Sequence, residues 1–271
     1  MARFLTRFAP SPTGYLHIGH AYSAYRVWQA AAREGGDVIL RIEDIDTTRC
    51  RPELTEAILK DLTWLGFEWS QPVRVQSDHF EVYAATVSEL ARRGLAYRCF
   101  RTRADLQALV EPVRPLTPEA EAEHLAAGKP FAWRLSLNAV EDQLKIDLDR
   151  LTFTTEENGK HLVNQVRRDK LEDIVIARKD SPSAYHLAAT HDDHLQGVTH
   201  IVRGEDLVDA PHIQTVLQTI MGWAKPIYIH HPLIMGDDGK RLSKRDQSTS
   251  LRDLRAAGLT PDDIWKRVGV G

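Results

Sequence analysis

The chain has 271 residues, 42% hydrophobic and 27% charged, enough for one large or two smaller globular domains with a core that needs no disulfide or metal staples. It has no apolar run of about 18 residues, and its start lacks the apolar stretch of a signal peptide, so a cytoplasmic protein without membrane contact is expected. A formal net charge of −3 excludes a generic polyanion binder, and any RNA contact must come from a local patch.

In chain order, residues 4–8 are an extended run stopped by Pro10 and Pro12, whose fixed φ and missing N–H groups cannot continue a strand interior. Residues 20–34 carry a helical pattern closed by Gly35 and Gly36, and residues 38–42 are an apolar run of the kind found in buried parallel strands. Together they make a βαβ unit. Residues 52–65 and 78–93 read as amphipathic helices. From about 97 to 168 the character changes to Pro-rich and Ala/Glu-rich stretches with short strands such as 133–137, which suggests an insertion between two halves of a nucleotide-binding sheet. The α/β pattern then resumes, with strands at 174–177, 199–202 and 227–230 and helices at 185–195 and 211–221. The expected organisation is a first catalytic half at 1–96, an inserted acceptor-binding-like subdomain at 97–168, a second half at 169–235, and a basic loop with a short helical tail at 236–271.

Between the first strand and the first helix lies Arg7-Phe8-Ala9-Pro10-Ser11-Pro12, followed by His17-Ile18-Gly19-His20. A helix amino terminus presents unpaired N–H groups and a partial positive charge, so phosphates are favoured there. His17 and His20, three residues apart, fall on one face, and Gly19 lets a flat base or ribose approach the backbone. Two histidines alone could equally be surface or core residues; the strand-loop-helix setting makes them informative. Near the other end, Gly239 leads into Lys240-Arg241-Leu242-Ser243-Lys244-Arg245, a cationic loop able to close over a triphosphate. From 240 to 267, eight basic residues face four acidic ones, a candidate RNA-facing segment or a solvated helix face. Contiguous His191-Asp192-Asp193-His194 invites a metal reading, but no further ligand stands at a recognisable spacing, and an architectural role for the Asp pair is preferred. Cys50 and Cys99 have no cysteine close enough for a zinc knuckle or redox pair.

Together, His17-Ile18-Gly19-His20 and Arg241-Leu242-Ser243-Lys244-Arg245 resemble the HIGH and KMSKS signatures of class I aminoacyl-tRNA synthetases. Arg7 to Pro12, Arg41-Ile42-Glu43-Asp44 and Arg203-Gly204-Glu205-Asp206 resemble the glutamate branch of that family. The resemblance spans nearly the whole chain. It implies an α/β, Rossmann-type catalytic core with an inserted connective subdomain, and ATP with Mg2+ and L-glutamate as substrates. His17, His20 and Lys244 would be catalytic. Gly19, Arg241, Leu242, Ser243 and Arg245 would join them around ATP. Arg7, Phe8, Ala9, Pro10, Ser11, Glu43, Tyr185 and Arg203 would bind glutamate, Glu43 taking the ammonium and the two arginines the carboxylates.

The expected acceptor follows from the same resemblance. Full-length members continue past the KMSKS loop into anticodon-binding domains, whereas this sequence ends at Gly271, as do the short members that glutamylate queuosine in the anticodon of tRNA(Asp). Ala189 stands where enzymes that charge tRNA(Glu) carry asparagine. Many short members bind zinc through a Cys-x-Cys pair and a later cysteine; here Cys99 is followed by Arg101 and no later cysteine exists, so no structural zinc is expected. A monomer acting on queuosine-bearing tRNA(Asp) is the expectation. The alternatives are a truncated enzyme charging tRNA(Glu) and a non-catalytic synthetase-like RNA or amino-acid binder.

Overall fold

The computed structural model describes residues 3–107, 113–234 and 249–270. The elements run β1 (Leu5–Phe8), α1 (Ile18–Arg33), β2 (Asp37–Ile42), α2 (Pro52–Trp64), β3 (Ser70–Val75), α3 (Phe80–Arg92) and β4 (Ala96–Cys99). Then follow α4 (Arg103–Gln107), α5 (Pro118–Ala126), β5 (Ala132–Leu135), α6 (Leu137–Leu144), β6 (Thr152–Glu157), β7 (Lys160–Gln165) and β8 (Val175–Ala177). The last stretch holds α7 (Tyr185–Leu195), β9 (His200–Gly204), α8 (Ala210–Met221), β10 (Ile227–His231), α9 (Leu251–Ala256) and α10 (Pro261–Arg267).

Two largely parallel sheets meet edge to edge. One has the order β1-β2-β3, all parallel; the other has the order β7-β6-β10-β9, parallel except for the β6–β7 hairpin. They join where Thr199 N–H donates to Leu5 O at 2.9 Å and Leu5 N–H donates to Thr199 Oγ1 at 2.8 Å. The third sheet, β4-β5-β8, is antiparallel. The mixed α/β architecture expected from the sequence is therefore present, with a Rossmann-type parallel sheet at its centre.

Several elements escaped the sequence reading or shifted. β3 holds Pro72, a residue tolerated because β3 is the sheet's edge and no further strand needs its N–H. The β6–β7 hairpin turns at Asn158 and Gly159, with φ of 51° and 73°, the Asn-Gly turn signal that was passed over. Leu137 does not extend the strand before it: Ser136 Oγ accepts from Ala139 N–H at 3.3 Å and starts α6. α1 begins two residues earlier than its apolar pattern implied, because His17 caps it.

Two apolar clusters divide the core. Phe4, Val27, Leu40, Ile58 and Leu62 pack with Leu251, Leu254 and Ile264, so α9 and α10 close over the first sheet. Leu90, Leu135, Leu148, Phe153, Leu187, Val216 and Tyr228 form the other, which binds the inserted segment to the second sheet. Each fully buried side chain of this size contributes about 1.5–3 kcal/mol. No helix among the described residues is long and apolar enough to cross a membrane.

Candidate functional site

The carboxyl ends of β1, β2, β9 and β10 and the amino terminus of α1 surround a cavity of about 600 Å³. Such crevices at strand ends are where open α/β sheets bind ligands. Every predicted site residue within the described set lines it: Arg7, Phe8, Ala9, Pro10, Ser11, His17, Gly19, His20, Glu43, Tyr185 and Arg203. Arg241, Leu242, Ser243, Lys244 and Arg245 lie outside the described residues. The chain on either side of them is fixed near the cavity. Leu233 and Ile234 line it, while Ser250 bridges to His17 and Leu251 N–H donates to Leu16 O at 2.8 Å.

At the α1 end, the two histidines build a reciprocal cap. Gly19 N–H donates to His17 Nδ1, and His17 N–H donates to His20 Nδ1, each at 3.1 Å, with the rings 3.9 Å apart. Because both Nδ1 atoms accept, the hydrogen of each neutral ring sits on Nε2, and each histidine becomes an Nε2–H donor. An anion at this helix terminus would meet that donor pair together with the helix dipole. A Cβ at Gly19 would lie 3.0 Å from His17 Cε1, a tight contact that the ring would have to relieve by a few tenths of an ångström.

The opposite end is ionic and buried. Arg7, Arg41, Glu43, Asp193 and Arg203 are each at most 7% exposed. Arg7 Nε and Arg41 Nη2 both donate to Asp193 Oδ1, at 3.0 and 2.7 Å, and Arg41 Nε and Nη2 donate to Glu43 Oε1 at 3.3 and 3.2 Å. Burial alone would raise the Asp193 carboxyl, but Arg41 and Arg7 outweigh it and hold that group below the usual carboxylate range. At Glu43 burial prevails over Arg41 and Arg7, and the carboxyl is raised. An ammonium beside it would supply the missing counter-charge.

Arg203 differs from the other two guanidiniums in having no carboxylate partner among the described residues. Its Nη1 donates to Gln214 Oε1 at 3.1 Å and its Nε to His230 Nε2 at 3.4 Å, while its Nη2 is buried without a hydrogen-bond partner among the described residues. His230 serves as a neutral acceptor, its pKa lowered to about 4 by burial and by Arg203. The guanidinium also lies over the Tyr228 ring, 5.2 Å from its centroid. A buried cationic N–H left unpaired costs on the order of 1–3 kcal/mol or more, which a carboxylate ligand would relieve. Tyr185 closes this end; burial and Glu43 raise its hydroxyl, which therefore stays protonated and able to donate.

A second cavity of about 290 Å³ adjoins the first and shares Ser11, Glu43 and Tyr185 with it. Its remaining wall is polar, with Asp46, Thr47, Thr48, Arg178, Asp180 and Ser181. In the inserted segment, Cys99 is buried, and Arg101 lines a cleft with Arg98, Arg114 and Lys129. Among the described residues no group of three or more His, Cys, Asp and Glu side chains has a metal-holding arrangement, residues 191–194 included.

The sequence reading gave no site role to Arg41 or His231, and an architectural one to Asp193 as half of an Asp pair. Arg41 stands two residues before Glu43, the spacing that puts both on one face of a strand, a readable signal. His231 falls one residue past the strand expected at 227–230. It does end β10, but it also lines the cavity and holds Ser23 Oγ at 3.1 Å. For Asp193 nothing local distinguishes it from Asp192.

Comparison with known proteins places the chain in a family. Residues 3–268 match the family described as tRNA synthetases class I (E and Q), catalytic domain. A Rhodobacter capsulatus protein named glutamyl-Q tRNA(Asp) synthetase is 40% identical, over 98% of this chain and 100% of its own length. A glutamate–tRNA ligase of Coprothermobacter proteolyticus is 35% identical over 96% of this chain but only 56% of its own length. The crystal structure of the glutamate–tRNA synthetase from Elizabethkingia anophelis superposes with a TM-score of 0.74 at 29% identity, covering 90% of this chain and 53% of that one. The chain thus spans the whole of the first relative and about half of the other two. Its activity is of the ligase type, and the chain belongs to the class I aminoacyl-tRNA synthetases of the glutamate and glutamine group.

Proposed function

We propose that the protein activates L-glutamate with ATP and transfers the glutamyl group to queuosine in the anticodon of tRNA(Asp). The observation that carries the amino-acid half is the buried, unpaired Nη2 of Arg203 in a cavity whose wall sets Arg7 and Arg203 together with Glu43 and Asp206. Glutamate fits this balance: its side-chain carboxylate meets Arg203 and Arg7, its ammonium meets Glu43, and Tyr185 donates from the flank. Glutamine would offer Arg203 only a neutral acceptor in place of a charge-assisted one, a weaker partner for a buried cation.

In the first step the α-carboxylate attacks the α-phosphorus of ATP and magnesium pyrophosphate leaves. The Nε2–H groups of His17 and His20, with Lys244 and its neighbours from the loop after Ile234, stabilise the phosphate charge that develops. Gly19 allows the nucleotide to lie against the start of α1. In the second step a hydroxyl of the queuosine diol attacks the carbonyl of the mixed anhydride, its proton is lost, and AMP leaves. The smaller cavity that shares Glu43 and Tyr185 gives the hydroxyl an approach separate from the phosphates. The inserted segment folds without zinc, with Arg101 where a thiolate would be needed.

Support for queuosine as the acceptor comes from the full-length match to the Rhodobacter capsulatus protein. The test incubates purified protein with labelled glutamate, ATP and tRNA from cells that make queuosine or cannot. Label is expected only on queuosine-containing tRNA(Asp) and is expected to be abolished by prior periodate cleavage of the queuosine diol. Label on the terminal adenosine of tRNA(Glu) would identify a tRNA(Glu)-charging enzyme instead.

A further inference from the structure

We infer that Asp193 is a positioning residue that sets the spacing between the carboxylate-binding and ammonium-binding ends of the amino-acid pocket, an inference that rests on the glutamate-activating reading. Asp193 does not line the cavity. It lies behind it, 2% exposed, and a single oxygen, Oδ1, receives both Arg7 and Arg41. Arg7 reaches the cavity directly. Arg41, with no exposed surface, passes the constraint on to Glu43 through two donors to Oε1 and is held from its far side by Gln196 Oε1 at 3.0 Å. Asp193 is thus the shared node of two arms, one ending at a cation and the other at an anion.

The adjacent Asp192 provides the contrast. Successive helix residues point about 100° apart, so Asp192 faces another part of the molecule. It is fully buried and takes Gln76 Nε2 at 3.0 Å and Tyr83 Oη at 2.7 Å, with Arg74 Nε at 3.0 Å and His191 Nδ1 at 3.1 Å. None of these partners lines the larger cavity. One carboxylate braces the fold, and its neighbour braces the pocket. Without the negative charge of Asp193, Arg7 and Arg41 would face Glu43 as the nearest remaining carboxylate. Arg7 would then turn toward Glu43, occupying the ammonium receptor and leaving the carboxylate receptor.

Glutamate-dependent ATP–pyrophosphate exchange and thermal midpoints, measured on the full chain, test this. Asp193→Asn is expected to raise the KM for glutamate about 50-fold or more, to change the KM for ATP less than threefold, and to abolish the rise in thermal midpoint that glutamate produces. Asp192→Asn is expected to lower the thermal midpoint while leaving the glutamate KM within threefold. Asp193→Glu keeps the charge but lengthens the arm by one methylene, so it is expected to fold and still show a glutamate KM at least tenfold higher. That variant decides the matter if Asp193→Asn does not fold. An unchanged glutamate KM in either Asp193 variant, an equal rise in the ATP KM, or an equal glutamate effect from Asp192→Asn overturns the inference. Absence of glutamate-dependent exchange in the unmodified protein would instead reject the parent reading.

Discussion

The two ends of the pocket are built in different ways. The α1 end is local: His17, Gly19 and His20 hold one another through hydrogen bonds spanning two or three residues. The ionic end is assembled from afar, with Arg7 and Asp193 separated by 186 positions and Arg41 and Asp193 by 152. A local motif can keep its geometry as long as its helix start survives. The long-range array exists only when both sheets have closed against each other. On the proposed reading, the α1 share of phosphate recognition depends on one turn of backbone, and amino-acid recognition on the completed fold.

Arg203→Ala should break this contrast most severely. Removing the incompletely paired guanidinium is expected to lower kcat/KM for glutamate in pyrophosphate exchange on the order of 10³-fold, about 4 kcal/mol, with the ATP KM changed less than threefold. A parallel loss of ATP affinity would show that the two ends are not separate. Gly19→Ala addresses the other end. The new Cβ lies 3.0 Å from the His17 ring, and the few tenths of an ångström needed to relieve that contact are expected to lower turnover roughly 3- to 10-fold, with the ATP KM affected and the glutamate KM unaffected.

The smallest effect sharpens the comparison by means of a buried carboxylate with no such donors. Asp61, on α2, has no exposed surface; Arg255 Nη1 lies 3.1 Å from its Oδ1, yet neither oxygen makes a hydrogen bond. Burial, opposed chiefly by Arg255, pushes its pKa up to about 6, whereas the two donors at Asp193 hold that carboxyl low. A raised carboxyl binds its proton more tightly in the folded state. Its contribution to stability is complete below the ordinary carboxylate range and is lost as the pH rises through about 6. Asp61→Asn, neutral at every pH, is expected to gain about 2 kcal/mol at pH 7.5, roughly 5 °C in thermal midpoint, and to lose that gain by about pH 4. A midpoint unchanged at pH 7.5 would show that Arg255 already compensates the charge.

The same division explains what could be read from the sequence. The strand, Pro-stopped loop and helix around His17 and His20 are written in about twenty consecutive residues, and the structure places them at a helix start in front of a cavity. Glu43, Tyr185 and Arg203 come to the same cavity, although only family resemblance singled them out. The Asp pair at 192 and 193 was legible as architectural, but nothing local told Asp193 from Asp192, because the partners of each are set by how the chain packs. β3 was hidden by Pro72, whose tolerance depends on an edge position that sequence alone does not reveal. The β6–β7 hairpin was announced by Asn158-Gly159, but its pairing with β10 was not, because a turn signal does not say which sheet the hairpin will join.

That last pairing has a mechanical consequence. β6 lies in parallel ladder with β10, and β10 in parallel ladder with β9, so an unbroken run of hydrogen bonds leads from a strand of the inserted segment to Arg203. A sheet has no joint between neighbouring strands. A load on the β6–β7 hairpin is passed across two ladders toward Arg203 and His230, which are partners in the β9–β10 register. The inserted segment is in this sense a lever arm fixed to the floor of the pocket.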